Sequence, residues 1–285
     1  MTTSNPHLAA FASGNTAVIT GGASGIGLAA ARRYAGLGMN VVIADRGAAR
    51  LEAAAKSIIK AGASADKVLV SDTDVSRLDG LKQLAAATQA KFGAPSVLMN
   101  NAGIGDNPGK AWENPEAWHR LIDVNFWGVA HGTQAFAPMM LESGKSGIII
   151  NTGSKQGITT PPGNLAYNVS KSAVKSFTEG LAHDLRNIPG SSVSAHLLIP
   201  GFTYTGITGT SEKPAGAWTG EQVIDFMLEA IGRGDFYILC PDNEVTRDID
   251  EKRMEWAAGD VIHNRPALSR WHPDFAAAFQ DHMKG

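Results

Sequence analysis

The chain has 285 residues, 44% of them apolar, with a formal net charge of −2. That composition supports a packed core and excludes a disordered chain, and the small net charge carries no footprint for nucleic acid. One cysteine, Cys240, excludes a disulfide framework or a multi-thiolate zinc site, and the eight histidines lack ligand spacing, so no metal is expected.

The N-terminal stretch lacks a charged segment followed by an apolar run, and nothing approaches the ~18 apolar residues of a membrane span. No basic cluster precedes an apolar helix either. The expectation is a cytoplasmic protein that binds neither membrane nor nucleic acid.

In chain order, short β-branched runs alternate with longer alanine-rich stretches. Strands are predicted at 16–20, 40–45, 67–71, 97–99, 147–151, 193–199 and 236–239. Helices are predicted at 26–36, 48–61, 78–92, 116–140, 166–187 and 219–231. Asn114-Pro115-Glu116 reads as a helix start, with a capping side chain, a first-turn proline and an acid near the positive dipole end. This alternation implies an α/β fold: one Rossmann-type doubly wound sheet of about seven parallel strands, with helices on both faces. One dinucleotide-binding and catalytic domain is expected over 1–240, with a substrate loop at about 202–220. Residues 241–285 read as an extension rather than a separate domain, including a helix with Val245, Ile249 and Trp256 on one side.

Gly25-x-Gly27-x-x-Ala30 follows the first strand and opens a helix, the context in which a glycine turn cradles a dinucleotide pyrophosphate. Asp45 ends the second strand, where a carboxylate holds the adenosine ribose hydroxyls and favours NAD over NADP. Arg46 leaves NADP possible, although its plainer reading is a solvated loop residue. Farther along, Tyr167 and Lys171 lie four apart on a predicted helix and so share a face. There a lysine ammonium within hydrogen-bond range lowers the phenol pKa and makes it a proton donor and acceptor.

With these motifs the chain resembles the short-chain dehydrogenase/reductase family over about residues 14–240. The resemblance rests on Thr20-Gly21-x-x-x-Gly25-x-Gly27, Asp74-Val75, Asn100-Asn101-Ala102-Gly103, Tyr167-x-x-x-Lys171 and Pro200-Gly201. It implies an NAD(P)-dependent oxidoreductase that interconverts a secondary alcohol and a ketone. Tyr167 is then the acid/base, Lys171 its activator and ribose ligand, Ser154 the donor to the substrate oxygen, and Asn125 the anchor of a water that links the lysine to solvent. The implied cofactor contacts are Gly21, Ser24, Gly25, Ile26 and Gly27 at the turn, Asp45 and Arg46 at the ribose, Asp74 and Val75 at the adenine. Asn101, Ala102 and Gly103 follow on the adenosine side, and Tyr167, Lys171, Pro200, Gly201, Thr203 and Thr205 toward the nicotinamide. A homodimer or homotetramer, packed through the helices 116–140 and 166–187, is also implied by the family.

Two departures from the family pattern stand out. Thr152-Gly153-Ser154 replaces the usual Ser-Ser pair, so Gly153 is expected to loosen the turn beside the serine. The extension is longer than the family's usual ending, and is expected to cover the active site or a neighbouring subunit. Lys155 and Lys175 read as solvated, Tyr204 as a loop wall and Cys240 as an apolar filler.

The expected cleft walls, residues 104–112, 155–165 and 202–220, hold Ile104, Trp112, Ile158, Pro161, Pro162, Leu165, Phe202, Ile207 and Trp218, and no arginine. They suggest a neutral, bulky, hydrophobic substrate, with part of the apolar set being ordinary core. The rival readings are an NAD-retaining epimerase or dehydratase and a non-catalytic dinucleotide sensor on the same fold.

Overall fold

A computed structural model of the protein describes residues 5–206 and 212–284. Its strands are β1 (Thr16–Thr20), β2 (Asn40–Asp45), β3 (Val68–Asp72), β4 (Val97–Asn100), β5 (Gly147–Thr152), β6 (Val193–Ile199) and β7 (Tyr237–Leu239). All pair in parallel, in the order β3-β2-β1-β4-β5-β6-β7. The helices are α1 (Gly25–Gly36), α2 (Ala48–Lys60), α3 (Leu78–Phe92), α4 (Pro115–Ile122), α5 (Gly128–Glu142), α6 (Gln156–Thr159), α7 (Leu165–Arg186), α8 (Gly220–Arg233), α9 (Arg247–Ile262) and α10 (Ala276–Lys284).

Strand alternation divides the core into two layers. Ala17 and Ile19 of β1 face a cluster with Ala30 and Tyr34 of α1, Ile58 of α2 and Met227 of α8. Val18 between them faces the opposite layer, with Leu81 and Leu84 of α3, Phe136 of α5 and Leu185 of α7. Every residue of β1 and β5 is buried, as expected of strands covered on both faces. The strand order reverses between β1 and β4, so a crevice opens at their carboxyl ends.

Several boundaries differ from the sequence reading. Lys67 belongs to a 3₁₀ turn, Ala65–Lys67, and Phe236 precedes β7, because each lies just before its strand's pairing register begins. Residues 116–140 are not one uniform α-helix. A π-helical turn, Asp123–Trp127, joins α4 to α5 and contains the buried Asn125. Asn114 does not cap α4: it is left-handed (φ 47°), and its amide donates 2.7 Å to Pro108 O instead. At α8 the predicted start holds, and Thr219 and Gln222 form a reciprocal capping box.

The extension is ordered around Trp256 of α9. Its indole donates 2.8 Å to Ser269 Oγ, the Arg265 guanidinium lies 4.0 Å above the ring, and Phe279 of α10 packs edge-on at 5.3 Å. α9 lies against α6, which begins two residues after Ser154. Among the described residues, no helix is long and apolar enough to cross a membrane, and no cluster of His, Cys, Asp or Glu is arranged to hold a metal ion.

Candidate active site

The crevice begins at the turn between β1 and α1. Gly21 and Gly25 have positive φ (64° and 53°), which glycine adopts without strain. Closeness matters as much as conformation here. A Cβ on Gly27 would stand 2.2 Å from Gly21 O, and one on Gly21 would stand 2.8 Å from the Ala102 Cα. Ser24 at the N-cap of α1 makes no capping hydrogen bond with its side chain, and Ile26 is buried behind the turn.

Asp45 lies at the end of β2. Its Oδ2 accepts from Ala23 N at 3.0 Å, while Oδ1 accepts from Arg46 N at 2.8 Å and from the Arg50 guanidinium at 3.0 Å. The carboxylate therefore braces the glycine turn itself. The Arg46 side chain is 74% exposed, as its plainer reading held, although its guanidinium points toward Asp74 at 3.8 Å. Asp74 in turn accepts from Ser76 N and Oγ, and Val75 packs into the core beside Gly128.

From β4, Asn101 donates from Nδ2 to Thr20 O at 3.2 Å, and the Thr20 hydroxyl accepts from Asn101 N and Ala102 N. Gly103 follows, where a Cβ would meet Asn125 Oδ1 at 3.4 Å and Lys171 Nζ at 3.8 Å. After β6, Pro200 and Gly201 lead to Thr203, whose segment pairs with Trp218. Thr205 returns to the glycine turn, and a Cβ on Gly25 would meet its methyl at 3.0 Å. Close approaches thus connect the expected cofactor positions: Asp45 to the glycine turn, the turn to Ala102 and Thr205, and Gly103 to Lys171.

At the Lys171 end, the Ser154 hydroxyl neighbours the Tyr167 phenol and favours its ionised form. Lys171 Nζ is buried, donates 2.9 Å to Thr152 O, and lies 5.7 Å from the Tyr167 ring centroid. Asn125 ties the π turn to the chain leaving β4. Its Oδ1 accepts from Ile104 N at 2.8 Å, and its Nδ2 donates to Ile104 O at 3.0 Å and Ser170 Oγ at 3.2 Å. The π turn aims this amide at the chain leaving β4.

Burial dominates the electrostatics of the tyrosine and the lysine. Burial raises the Tyr167 phenol above its ordinary value, and the neighbouring Ser154 hydroxyl offsets only part of that rise. Burial also lowers Lys171 from 10.5 to about 8. The lysine's bond is to a backbone carbonyl rather than to the phenol, so desolvation outweighs the charge pairing that the four-residue spacing suggests.

Three more expectations change. Gly153 does not loosen its turn: its N–H donates 2.7 Å to Leu198 O, and a Cβ would stand 3.1 Å from Leu197. Ile158 and Trp218 pack into the core rather than the cleft, whereas Trp112, Leu165 and Phe202 are exposed. Ile207 lies outside the described residues. An arginine does reach the first wall from α4, but Arg120 is spent on Asp106, with Nε and Nη2 at 3.0 and 2.9 Å.

Sequence reasoning missed a buried polar chain beneath the site. Asn100 donates to Asn151 Oδ1 at 2.9 Å, and Asn151 donates to Thr178 Oγ1 at 3.1 Å. An asparagine at the end of one apolar strand and one residue before the end of the next was its available signal. Lys155 was misread as solvated. It is largely covered, with its ammonium 3.3 Å from Asp242 and 2.6 Å from Asp250, because the extension closes over it.

The comparisons with known proteins agree with this geometry. The short chain dehydrogenase family profile matches residues 15–215. The chain is 34% identical over 212 residues to a 3beta-hydroxysteroid dehydrogenase 2 of Eggerthella lenta, covering 74% of this chain and 78% of that protein. It is 33% identical over 262 residues to a 1-deoxy-11-beta-hydroxypentalenate dehydrogenase of Streptomyces exfoliatus, covering 90% and 93%. A short chain dehydrogenase/reductase from Burkholderia phymatum, solved in complex with NAD, superposes with a TM-score of 0.81 at 34% identity, covering 90% and 96%. A metagenomic short-chain oxidoreductase in complex with NADP gives a TM-score of 0.67 at 28% identity, covering 81% and 98%. A parallel sheet whose reversal point holds a tight glycine turn at one end, and a half-buried serine and tyrosine with a buried lysine at the other, belongs, with these relatives, to the short-chain dehydrogenase/reductase family.

Proposed function

We propose that this protein is a nicotinamide-dependent dehydrogenase that interconverts a neutral, bulky, hydrophobic secondary alcohol and its ketone. The observation that carries the reading is the convergence of Ser154, Tyr167 and the buried Lys171 at the end of the site opposite Asp45. Relatives named for a hydroxysteroid and for a hydroxypentalenate support a large alicyclic substrate. The exposed apolar residues Leu165 and Phe202 near the site agree with it, as does the engagement of Arg120 by Asp106, which leaves that guanidinium no free fork for an acid.

The residues present fit a dinucleotide. The glycine turn admits a backbone-close ligand, α1 presents its positive end without a side-chain cap, and Asp45 stands where a ribose would be held. Gly21, Ser24, Gly25, Ile26 and Gly27 would carry the pyrophosphate, and Asp74, Val75, Asn101, Ala102 and Gly103 the adenosine side. Pro200, Gly201, Thr203 and Thr205 would flank the nicotinamide half. When bound, the nicotinamide supplies the hydride acceptor or donor. NAD is favoured by Asp45, while Arg46 together with Arg50 leaves NADP open.

Ser154 Oγ would hold the substrate oxygen and fix which face of its carbon is presented. In reduction, Tyr167 Oη gives its proton to that oxygen; the raised phenol keeps the proton at neutral pH, the neutral form this direction requires. In oxidation, Tyr167 takes the alcohol proton as the C–H hydride departs. Lys171, oriented by Thr152 O, would hold the nicotinamide ribose and stabilise the phenolate as it forms. Asn125 pins Ile104 and thereby the wall beside the lysine. A homo-oligomer packed through α4, α5 and α7 completes the proposal, with Trp127 of the π turn between α4 and α5 and Val169 of α7 exposed.

The test is turnover of NAD and NADP with a panel of bulky secondary alcohols, read by the absorbance of the reduced nicotinamide. Wild type should turn over, and Tyr167→Phe should lose about 10³-fold or more in kcat while still binding the dinucleotide. Turnover confined to carboxylate or phosphate substrates would refute the substrate class. Undiminished turnover in the phenylalanine variant would refute the mechanism.

A further inference from the structure

Lys155 follows Ser154 directly and begins the turn that becomes α6. Its carbonyl accepts from Ile158 N at 3.0 Å and Thr159 N at 3.1 Å, and Ser154 Oγ accepts from Gln156 N at 3.2 Å. The Lys155 side chain is only 16% exposed, and each carboxylate that meets it is 5% exposed. Asp242 lies just beyond β7, and Asp250 lies in the first turns of α9. Both therefore come from the part of the chain that the sequence presents as an appendage.

Asp242 links three segments through one carboxylate. Its Oδ2 meets the Lys155 ammonium and accepts from Phe202 N at 3.0 Å, and its Oδ1 accepts from Glu244 N at 3.0 Å and Val245 N at 2.7 Å. The packing leaves no slack at Gly201. A Cβ there would stand 2.8 Å from Asp242 Oδ2, 2.9 Å from Pro241 O and 3.0 Å from Lys155 Nζ. The same ammonium thus abuts the loop leaving β6, which also carries Thr203 and Thr205, and the turn carrying Ser154.

A lysine this covered carries a desolvation cost that a solvated one avoids, and two carboxylates side by side repel unless a cation sits between them. Opposite charges placed in this way define one arrangement of three segments sharply, because every alternative leaves a covered charge unpaired. We propose that Lys155 is a positioning residue through which Asp242 and Asp250 of the C-terminal extension hold the Ser154 turn and the Gly201–Phe202 segment in mutual register. The extension is then a structural part of the catalytic centre. Lys155 acts through Ser154 and Gly201 and touches no reacting atom. This inference rests on the proposed dehydrogenase reading for its rate measurement, and on the structure alone for its exchange measurement.

The experiment compares wild type with Lys155→Met, Lys155→Arg and Asp250→Asn in the full-length protein. Three quantities are read: the single-turnover rate of hydride transfer, the NADH dissociation constant, and backbone hydrogen–deuterium exchange at 153–158 and 201–203. Lys155→Met should slow hydride transfer by about tenfold or more, with NADH affinity changed by less than about threefold. Exchange should rise in both segments together. Lys155→Arg, which keeps the cation, should recover the rate to within about threefold of wild type, and Asp250→Asn should fall between the two. The proposal is overturned if Lys155→Met transfers hydride at the wild-type rate, or if arginine is no better than methionine. Should Lys155→Met fail to fold, Asp250→Asn decides, and a wild-type rate with unchanged exchange in that variant overturns the proposal. If wild type itself binds NADH without turnover, the dehydrogenase reading has failed, and exchange alone decides. Unchanged protection at both segments in Lys155→Met would then reject the positioning role.

Discussion

At Gly27 the space is filled by backbone, and at Lys155 it is filled by charge. The glycine turn between β1 and α1 brings main chain so close to main chain that a single methyl group would collide with Gly21 O, 2.2 Å away. The opposite end is held by side chains: Ser154 Oγ on Gln156 N, Lys171 on Thr152 O, and Lys155 between Asp242 and Asp250. Exclusion by backbone tolerates almost no substitution, whereas a side-chain network tolerates one that preserves charge or reach. The two ends should therefore fail differently when mutated.

The largest effect is expected at the backbone-filled end. Gly27→Ala must push β1 and α1 apart, costing about 3 kcal/mol of stability and removing measurable NADH binding. Denaturant unfolding and a dinucleotide titration check this, and retention of both properties would break the contrast between the ends.

Lys171→Met is expected to act with opposite signs on stability and on activity. Burial holds Lys171 near 8 in the fold against 10.5 outside it, so the folded state bears the cost of charging it in full below pH 8. The methionine variant should be more stable by about 2 kcal/mol at neutral pH and should lose turnover. Between pH 8 and 10.5 the unfolded chain still holds the proton that the fold has lost, so wild-type stability rises with pH across that window. The variant's stability should not, and urea melts at several pH values would show whether the two curves converge.

Asp45→Ala sharpens the comparison, because this side chain braces the glycine turn and also faces the expected ribose. The ratio of NAD to NADP efficiency should fall by about tenfold, near 1.4 kcal/mol, as Arg46 and Arg50 lose their carboxylate neighbour. An unchanged ratio would assign cofactor choice elsewhere. The smallest effect is expected outside both ends. Trp112 is 79% exposed on its loop, and Trp112→Ala should shift stability by less than about 0.5 kcal/mol. A substrate KM that rises in this variant would place the indole over the cleft.

Legibility in the sequence followed the distance over which each feature is specified. The seven strands, Asp45 at the end of β2 and the shared face of Tyr167 and Lys171 were readable because strand and helix periods are local. The kink at Asn125 was not, since a π turn leaves the apolar periodicity nearly unchanged. Neither was the fate of Asn114, whose amide found Pro108 O instead of the helix it precedes.

The sequence by itself determined the parallel α/β architecture, the glycine turn and the family's serine, tyrosine and lysine, because short-range spacing and hydrophobic alternation encode them. Only the tertiary structure decided that burial raises Tyr167 and lowers Lys171, that Gly153 is pinned against Leu197, and that Lys155 is covered by Asp242 and Asp250. Desolvation and ion pairing depend on what packs above a residue, and here that cover comes from chain 87 positions away.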